Sequence, residues 1–187
     1  MDSRQVHEQA QKKMHTTVEG YRKDLGTVRT GRASLALLDG LTVDYYGQAT
    51  PLNGVATLSV PEPALIVAQP WDRSLIQEIE RAIMSSDLGL NPSNDGKVVR
   101  IPIPPLTEER RKELAKKVSH MGEERKTAVR QLRREANDEL KTLLKEKKIS
   151  EDDERRALEQ IQKTTDQHIQ QIDNLTKAKE KEILEIG

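Results

Sequence analysis

Four histidines, 31 acidic residues and 31 basic residues are the groups with which this 187-residue chain could do chemistry, and cysteine is absent. Without cysteine there is no thiol catalysis, no Cys-ligated zinc and no disulfide framework. His7, His15, His120 and His168 are scattered over separate helical stretches and share no ligand spacing such as His-Glu-x-x-His, which argues against a metal site. No glycine pair brackets a phosphate loop or a dinucleotide turn, and there is no Gly-x-Ser-x-Gly elbow. The carboxylates sit in stretches so charged that they read as solvated faces rather than as acid/base pairs. A non-enzymatic protein without metal or cofactor is therefore expected, and the informative chemistry is the distribution of cations.

Between Arg110 and Arg134 there are ten Lys or Arg against Glu113, Glu123 and Glu124, whereas residues 150 to 187 hold six basic and ten acidic residues. A helical wheel places Lys126, Arg130, Arg133, Arg134 and Lys141 on one stripe beside the apolar positions Val129, Leu132 and Ala136. Such a stripe is a phosphate-facing ribbon if nucleic acid is the partner, and a solvated face with intrahelical ion pairs if it is not. On the residues alone both readings stand. Arg29 and Arg32 are open to the same two readings, helix-end charge placement or phosphate binding. Aromatic residues make up 2% of the chain, and Tyr21, Tyr45, Tyr46 and Trp71 are expected in small cores. RNA would then be gripped by backbone and shape rather than by base stacking.

The elements that must position these cations follow from periodicity. Val6, Ala10, Met14, Val18, Tyr21, Leu25 and Val28 form one helical stripe; Leu114, Val118, Met121, Val129, Leu132, Ala136, Leu140 and Leu143 form a second, which Arg125 interrupts. Thr107 is the expected N-cap of that second helix, and Gly122 costs about 1 kcal/mol against Ala, which allows a slight bend. Ser150 to Asp153 has the pattern of a capping box, followed by a third stripe through Leu158, Ile161, Thr165, His168, Ile172, Leu175 and Ile183. Three narrow stripes bury one another in an elongated three-helix bundle. Residues 31 to 105 differ in kind: 13 charges in 75 positions, all eight prolines and most of the glycines. There Leu41, Val43 and Tyr45 alternate, Gly47-Gln48 turns, and Ala56, Leu58 and Val60 alternate again. Ala64 to Gln69 is an apolar run, Asp72 caps a helix through Leu75, Ile76, Ile79 and Ile83, Asn91 to Gly96 turns, and Val99, Ile101 and Ile103 form a last strand. The expected fold is α+β: a discontinuous bundle from residues 1–30 and 106–187, and an inserted β/α/β domain of about four strands from residues 31–105. No stretch resembles a signal peptide or a membrane span, so a cytoplasmic location is expected.

Specific strings then matter: Arg29-Thr30-Gly31-Arg32-Ala33-Ser34, Leu37-Leu38-Asp39-Gly40, Tyr45-Tyr46-Gly47 with Thr50-Pro51-Leu52, Ser86-Asp87-Leu88-Gly89-Leu90-Asn91-Pro92, Pro104-Pro105-Leu106-Thr107-Glu108-Glu109-Arg110-Arg111, and Ala128-Val129-Arg130 with Arg133-Arg134. In this order they closely resemble the bacterial ribosome recycling factors, while the first helix before Arg29 and the last after about Ser150 carry no diagnostic string. Gln69-Pro70-Trp71 and the lack of Phe read as core substitutions. The resemblance implies an L-shaped, transfer-RNA-sized monomer. It would bind large-subunit ribosomal RNA in the 70S post-termination complex. With elongation factor G and its GTP it would split the subunits and free messenger RNA and deacylated transfer RNA. It places ribosomal-RNA contacts at Arg29, Arg32, Arg130 and Arg133; Arg134 comes from the helical wheel. The crossings at Thr30, Gly31, Pro102, Pro104 and Pro105 would be the hinge. A coiled-coil scaffold or clamp for protein partners is the alternative.

Overall fold

A computed structural model gives the fold and describes residues Met1–Glu185. In chain order the elements are α1 (Ser3–Gly26), β1 (Thr42–Tyr45), β2 (Gln48–Pro51), β3 (Ala56–Glu62), β4 (Leu65–Pro70), α2 (Ile76–Met84), β5 (Ser93–Asn94), β6 (Val99–Pro102), α3 (Glu108–Lys145) and α4 (Glu151–Leu184). Short 3-10 turns lie at Leu35–Leu38, Leu52–Gly54 and Arg73–Leu75. The chain separates into two compact units, one from Met1–Leu25 with Glu113–Leu184 and one built on Gly26–Lys112. These divisions lie a few residues outside the crossings expected from composition.

The first unit is the bundle. α3 has 38 residues and α4 has 34, which at 1.5 Å per residue makes them roughly 57 and 51 Å long. Each buries one stripe: Val6, Ala10, Met14, Val18, Tyr21 and Leu25 of α1, Leu114, Val118, Val129, Ala136, Leu140 and Leu143 of α3, and Ile161, Thr165, His168, Ile172 and Ile183 of α4. Val6 and Ala10 pack with Leu140 and Leu143 and with Ala157 and Ile161, so α1 runs parallel to α4 and antiparallel to α3. The caps are those the sequence predicts. Arg110 N–H donates to Thr107 Oγ1 at 3.1 Å, and Ser150 and Asp153 close a reciprocal box at 3.1 and 3.2 Å. Hydrogen bonds from the Ser150 backbone N–H and then its side chain hold the Asp153 carboxyl below its usual range. Between α3 and α4, Lys147 adopts φ 58, with Lys148 N–H on the Leu143 carbonyl and Lys147 N–H on the Leu144 carbonyl, both at 2.9 Å. That Schellman closure favours glycine at the left-handed position. Lys147→Gly is expected to raise bundle stability by about 0.5–1 kcal/mol, read as a higher urea midpoint at constant slope.

At Gly122 the three helices approach one another closely. α3 runs through it as one element. A Cβ there would lie 2.5 Å from Thr176 Oγ1 and 3.1 Å from the Tyr21 hydroxyl. The Tyr21 hydroxyl shares a short hydrogen bond with Thr176 Oγ1 and reaches the Val118 carbonyl at 3.5 Å, while Thr176 Oγ1 also reaches the Ile172 carbonyl at 2.9 Å. Burial raises the Tyr21 pKa and keeps the hydroxyl protonated. The glycine is thus required by a close approach. Helix propensity alone would have Gly122→Ala gain about 1 kcal/mol; overpacking should reverse the sign and cost about 1–3 kcal/mol, measurable by thermal and urea melts.

The second unit holds two sheets, the hairpin β1-β2 and a four-stranded antiparallel sheet in the order β3-β4-β6-β5. α2 closes a core made chiefly of Val43, Ile66, Ala68, Ile79, Ile83, Val99 and Ile101. The six strands exceed the four expected because β2 has one partly buried residue among four and β5 has only two residues, both exposed, so neither shows an alternation. Three further expectations are corrected. The hairpin turns at Tyr46-Gly47 (φ 49 and 80), one residue before the expected Gly47-Gln48, because two successive positive φ angles make the turn whose twist matches the strands. Val60 is exposed, since the register of β3 breaks between Ser59 and Glu62. Tyr46 and Trp71 are not core residues: they are 82% and 67% exposed.

Candidate nucleic-acid interface

α3 carries three of the five expected RNA contacts on one surface. Arg130 lies beside buried Val129, three residues before Arg133 and four before Arg134, so the helix holds the three guanidinium groups together. Arg130 and Arg133 are half-buried along their stems while Arg134 is exposed, the posture of side chains that pack their methylenes and keep the charge in water. Arg133 Nη1 donates to Gln162 Oε1 of α4 at 3.3 Å. Among the described residues none of the three forms an ion pair, so their charge is not consumed within the chain. Lys141 is likewise exposed and unpaired there.

Lys126 does not join this surface. Its Nζ sits 2.8 Å from Glu123 and 2.9 Å from Asp173 of α4, with the side chain only 15% exposed, and hydrogen bonds to Glu123 and then Asp173 raise its pKa. The wheel put it on the ribbon because a wheel knows nothing of the neighbouring helix. Arg125, the break in the apolar stripe, pairs with Asp24 of α1 and so ties two helices. Sequence reasoning also passed over Arg111, a half-buried residue whose buried Nε has no partner among the described residues. The only signal for it was its place in the Pro-Pro-Leu-Thr-Glu-Glu-Arg-Arg string.

Arg29 and Arg32 belong to the second unit. α1 stops at Gly26, so Arg29 is no last-turn charge; its Nη1 donates to the Leu88 carbonyl at 3.3 Å and its buried Nε has no partner among the described residues. Arg32 is exposed and unpaired among the described residues. Between them, Thr30 is buried and Gly31 has φ 82, with a Cβ position 3.7 Å from the Leu106 backbone nitrogen. That angle is open to glycine and strained for other residues. It also shows the two passes of the chain lying side by side. Pro102 ends β6, and Pro104 and Pro105 follow it exposed. Among the described residues no three His, Cys, Asp or Glu side chains gather as a metal site, and no helix is long and apolar enough to cross a membrane.

Fold and charge together define a class: a helical-bundle binding protein that presents unpaired guanidinium groups along one long helix. Residues 21–184 match the family model for ribosome recycling factor. The chain is 56% identical over 181 residues to the ribosome-recycling factor of Desulfosudis oleivorans, covering 97% of this chain and 98% of that one. Against that of Geobacillus thermodenitrificans the identity is 55% over 184 residues, covering 98% and 100%. A solution structure of ribosome recycling factor superposes with a TM-score of 0.82 at 42% identity, covering 100% of this chain and 99% of that one. A second similar structure has a TM-score of 0.68 at 47% identity and covers 99% and 100%. It is described as models for the T. thermophilus ribosome recycling factor and the E. coli elongation factor G bound to the E. coli post-termination complex. The chain belongs to the ribosome recycling factor family, and its function is ribosome recycling.

Proposed function

We propose that this chain acts after termination as a non-enzymatic monomer in the cytoplasm, binding the 70S post-termination complex through large-subunit ribosomal RNA. Arg130, Arg133 and Arg134 of α3 would meet phosphates, with Arg29 and Arg32 adding a second group. Elongation factor G, spending GTP, would act on the smaller unit, so that subunits part and messenger RNA and deacylated transfer RNA leave. The chain itself makes and breaks no bond and needs no cofactor. The observation that carries this reading is the 47% identity, over nearly the whole chain, to a factor placed with elongation factor G on a post-termination complex. The unpaired guanidinium groups support it, because a phosphate partner can neutralise what the fold leaves uncompensated.

Thr30 and Gly31 on one pass, and Pro102, Pro104 and Pro105 on the other, form the pivot in this reading. The left-handed glycine and the stiff prolines support it, since motion concentrates where few residues absorb a backbone change.

The test is sedimentation with purified large subunits across a salt series. Five phosphate contacts predict a log–log slope of roughly −3.5 to −4.5. A flat response would favour the rival reading of a scaffold for protein partners.

A further inference from the structure

The inward stripes of α3 and α4 are broken at the same level of the bundle. Among the described residues, no apolar side chain of α3 is fully buried between Val118 and Val129, and none of α4 between Ile172 and Ile183; Met121 and Leu175, inside the gaps, are half-buried. The gaps face each other, since Gly122 lies against Thr176. Each spans about three turns. Polar contacts fill this level instead, and together they join every pair of helices. Arg125 of α3 pairs with Asp24 of α1, Lys126 of α3 with Asp173 of α4 at 2.9 Å, and Tyr21 of α1 with Thr176 of α4.

Apolar burial has no direction, so a helix with a bare glycine where its neighbours should grip it could roll about its axis. Hydrogen-bonded pairs are directional, and two of them leave α3 from adjacent residues towards different helices. Arg125 and Lys126 therefore clamp α3 from two sides. Arg130 follows Lys126 by one turn and Arg133 by two, so a roll at this level carries both guanidinium groups with it. We infer that Arg125 and Lys126, with their carboxylate partners Asp24 and Asp173, are positioning residues for large-subunit binding: they lock the rotation of α3 and so aim Arg130 and Arg133. The carboxylate partners are 52% and 37% exposed, so the pairs add little stability. What they supply is orientation, a use to which polar groups set into helix bundles are put. The inference rests on the reading of Arg130 and Arg133 as the ribosomal-RNA contact.

The test is the double variant Asp24→Ala/Asp173→Ala of the full chain. It removes two negative charges, so attraction to phosphate alone would tighten binding. Loss of the clamp predicts the opposite: large-subunit affinity should fall by about tenfold or more, the loss of one charge-assisted bond, at unchanged helical content by circular dichroism. Because the chain has no cysteine, spin labels can be placed at Gln131→Cys with Gln167→Cys, and at Thr16→Cys with Gln131→Cys, all exposed positions. In the free protein both distance distributions should broaden in the double variant. Lys126→Met should broaden the first of them, and Lys126→Arg, which keeps a cation between Glu123 and Asp173, should leave it narrow. If the double variant does not fold, Asp173→Ala alone carries both readouts. Unchanged distances in the free chain overturn the lock, and unchanged or tighter binding overturns the aiming. A failure of the contact itself shows separately: Arg130→Glu/Arg133→Glu would keep both distances narrow and still pellet with large subunits.

Discussion

Reversing Arg130 and Arg133 together to Glu is expected to remove binding to large ribosomal subunits while the bundle keeps its helical content and its melting temperature. Each guanidinium lost from a phosphate forfeits a charge-assisted bond of about 1.5–3 kcal/mol, and the introduced carboxylates repel the same phosphates, so affinity should fall by about 100-fold or more. Stability should move by about 0.5 kcal/mol or less. Among the described residues the one hydrogen bond at stake is the exposed 3.3 Å contact from Arg133 to Gln162. Sedimentation at low salt and circular dichroism of the same sample separate the two effects. A folded variant that still pellets with large subunits would show that these arginines are not the contact. Lys126→Glu, by contrast, should cost stability: it places a third carboxylate beside Glu123 and Asp173, where the native ammonium bridges them.

The second large effect concerns division of labour. Replacing residues 32 to 104 by a short Gly/Ser linker should leave a folded bundle that binds the large subunit and recycles nothing. Gly31 lies against Leu106, so the linker spans only neighbouring passes, and a few flexible residues suffice. Within the first unit Val6 and Ala10 meet Leu140 and Ile161 at one end, and Tyr21 meets Thr176 at the other, all outside the excised segment. The truncated chain keeps Arg29, Arg130, Arg133 and Arg134, so it should compete with the intact factor and in excess inhibit it. Loss of Arg32 should weaken binding several-fold. An unfolded product by circular dichroism would deny the bundle its independence; a folded product with full activity in subunit splitting would deny the smaller unit its role.

What was legible in the sequence is what depends on near neighbours along the chain. The three helices follow from apolar residues at three- and four-residue spacing, and their starts at Thr107 and Ser150 follow from side chains that bond backbone groups three residues away. The strand cores Val43, Val99 and Ile101 are likewise written in alternation, and Ile66 in a short apolar run. The family resemblance rests on strings of the same local kind.

Tertiary structure alone decided the fate of residues whose partners are distant in sequence. Gly122 looked like a weak point in a helix, and Tyr21 and Thr176 make it a requirement. Lys126 and Arg130 occupy equivalent places on a wheel, yet Asp173 on α4 takes one and leaves the other. Trp71 looked like core because aromatic residues usually are; at the end of β4 it lies two-thirds exposed, its indole N–H on Thr57. Periodicity is a property of one segment, whereas neutralisation, close approach and exposure belong to pairs of segments. The second member of each pair is chosen by packing, which no single stretch of sequence encodes.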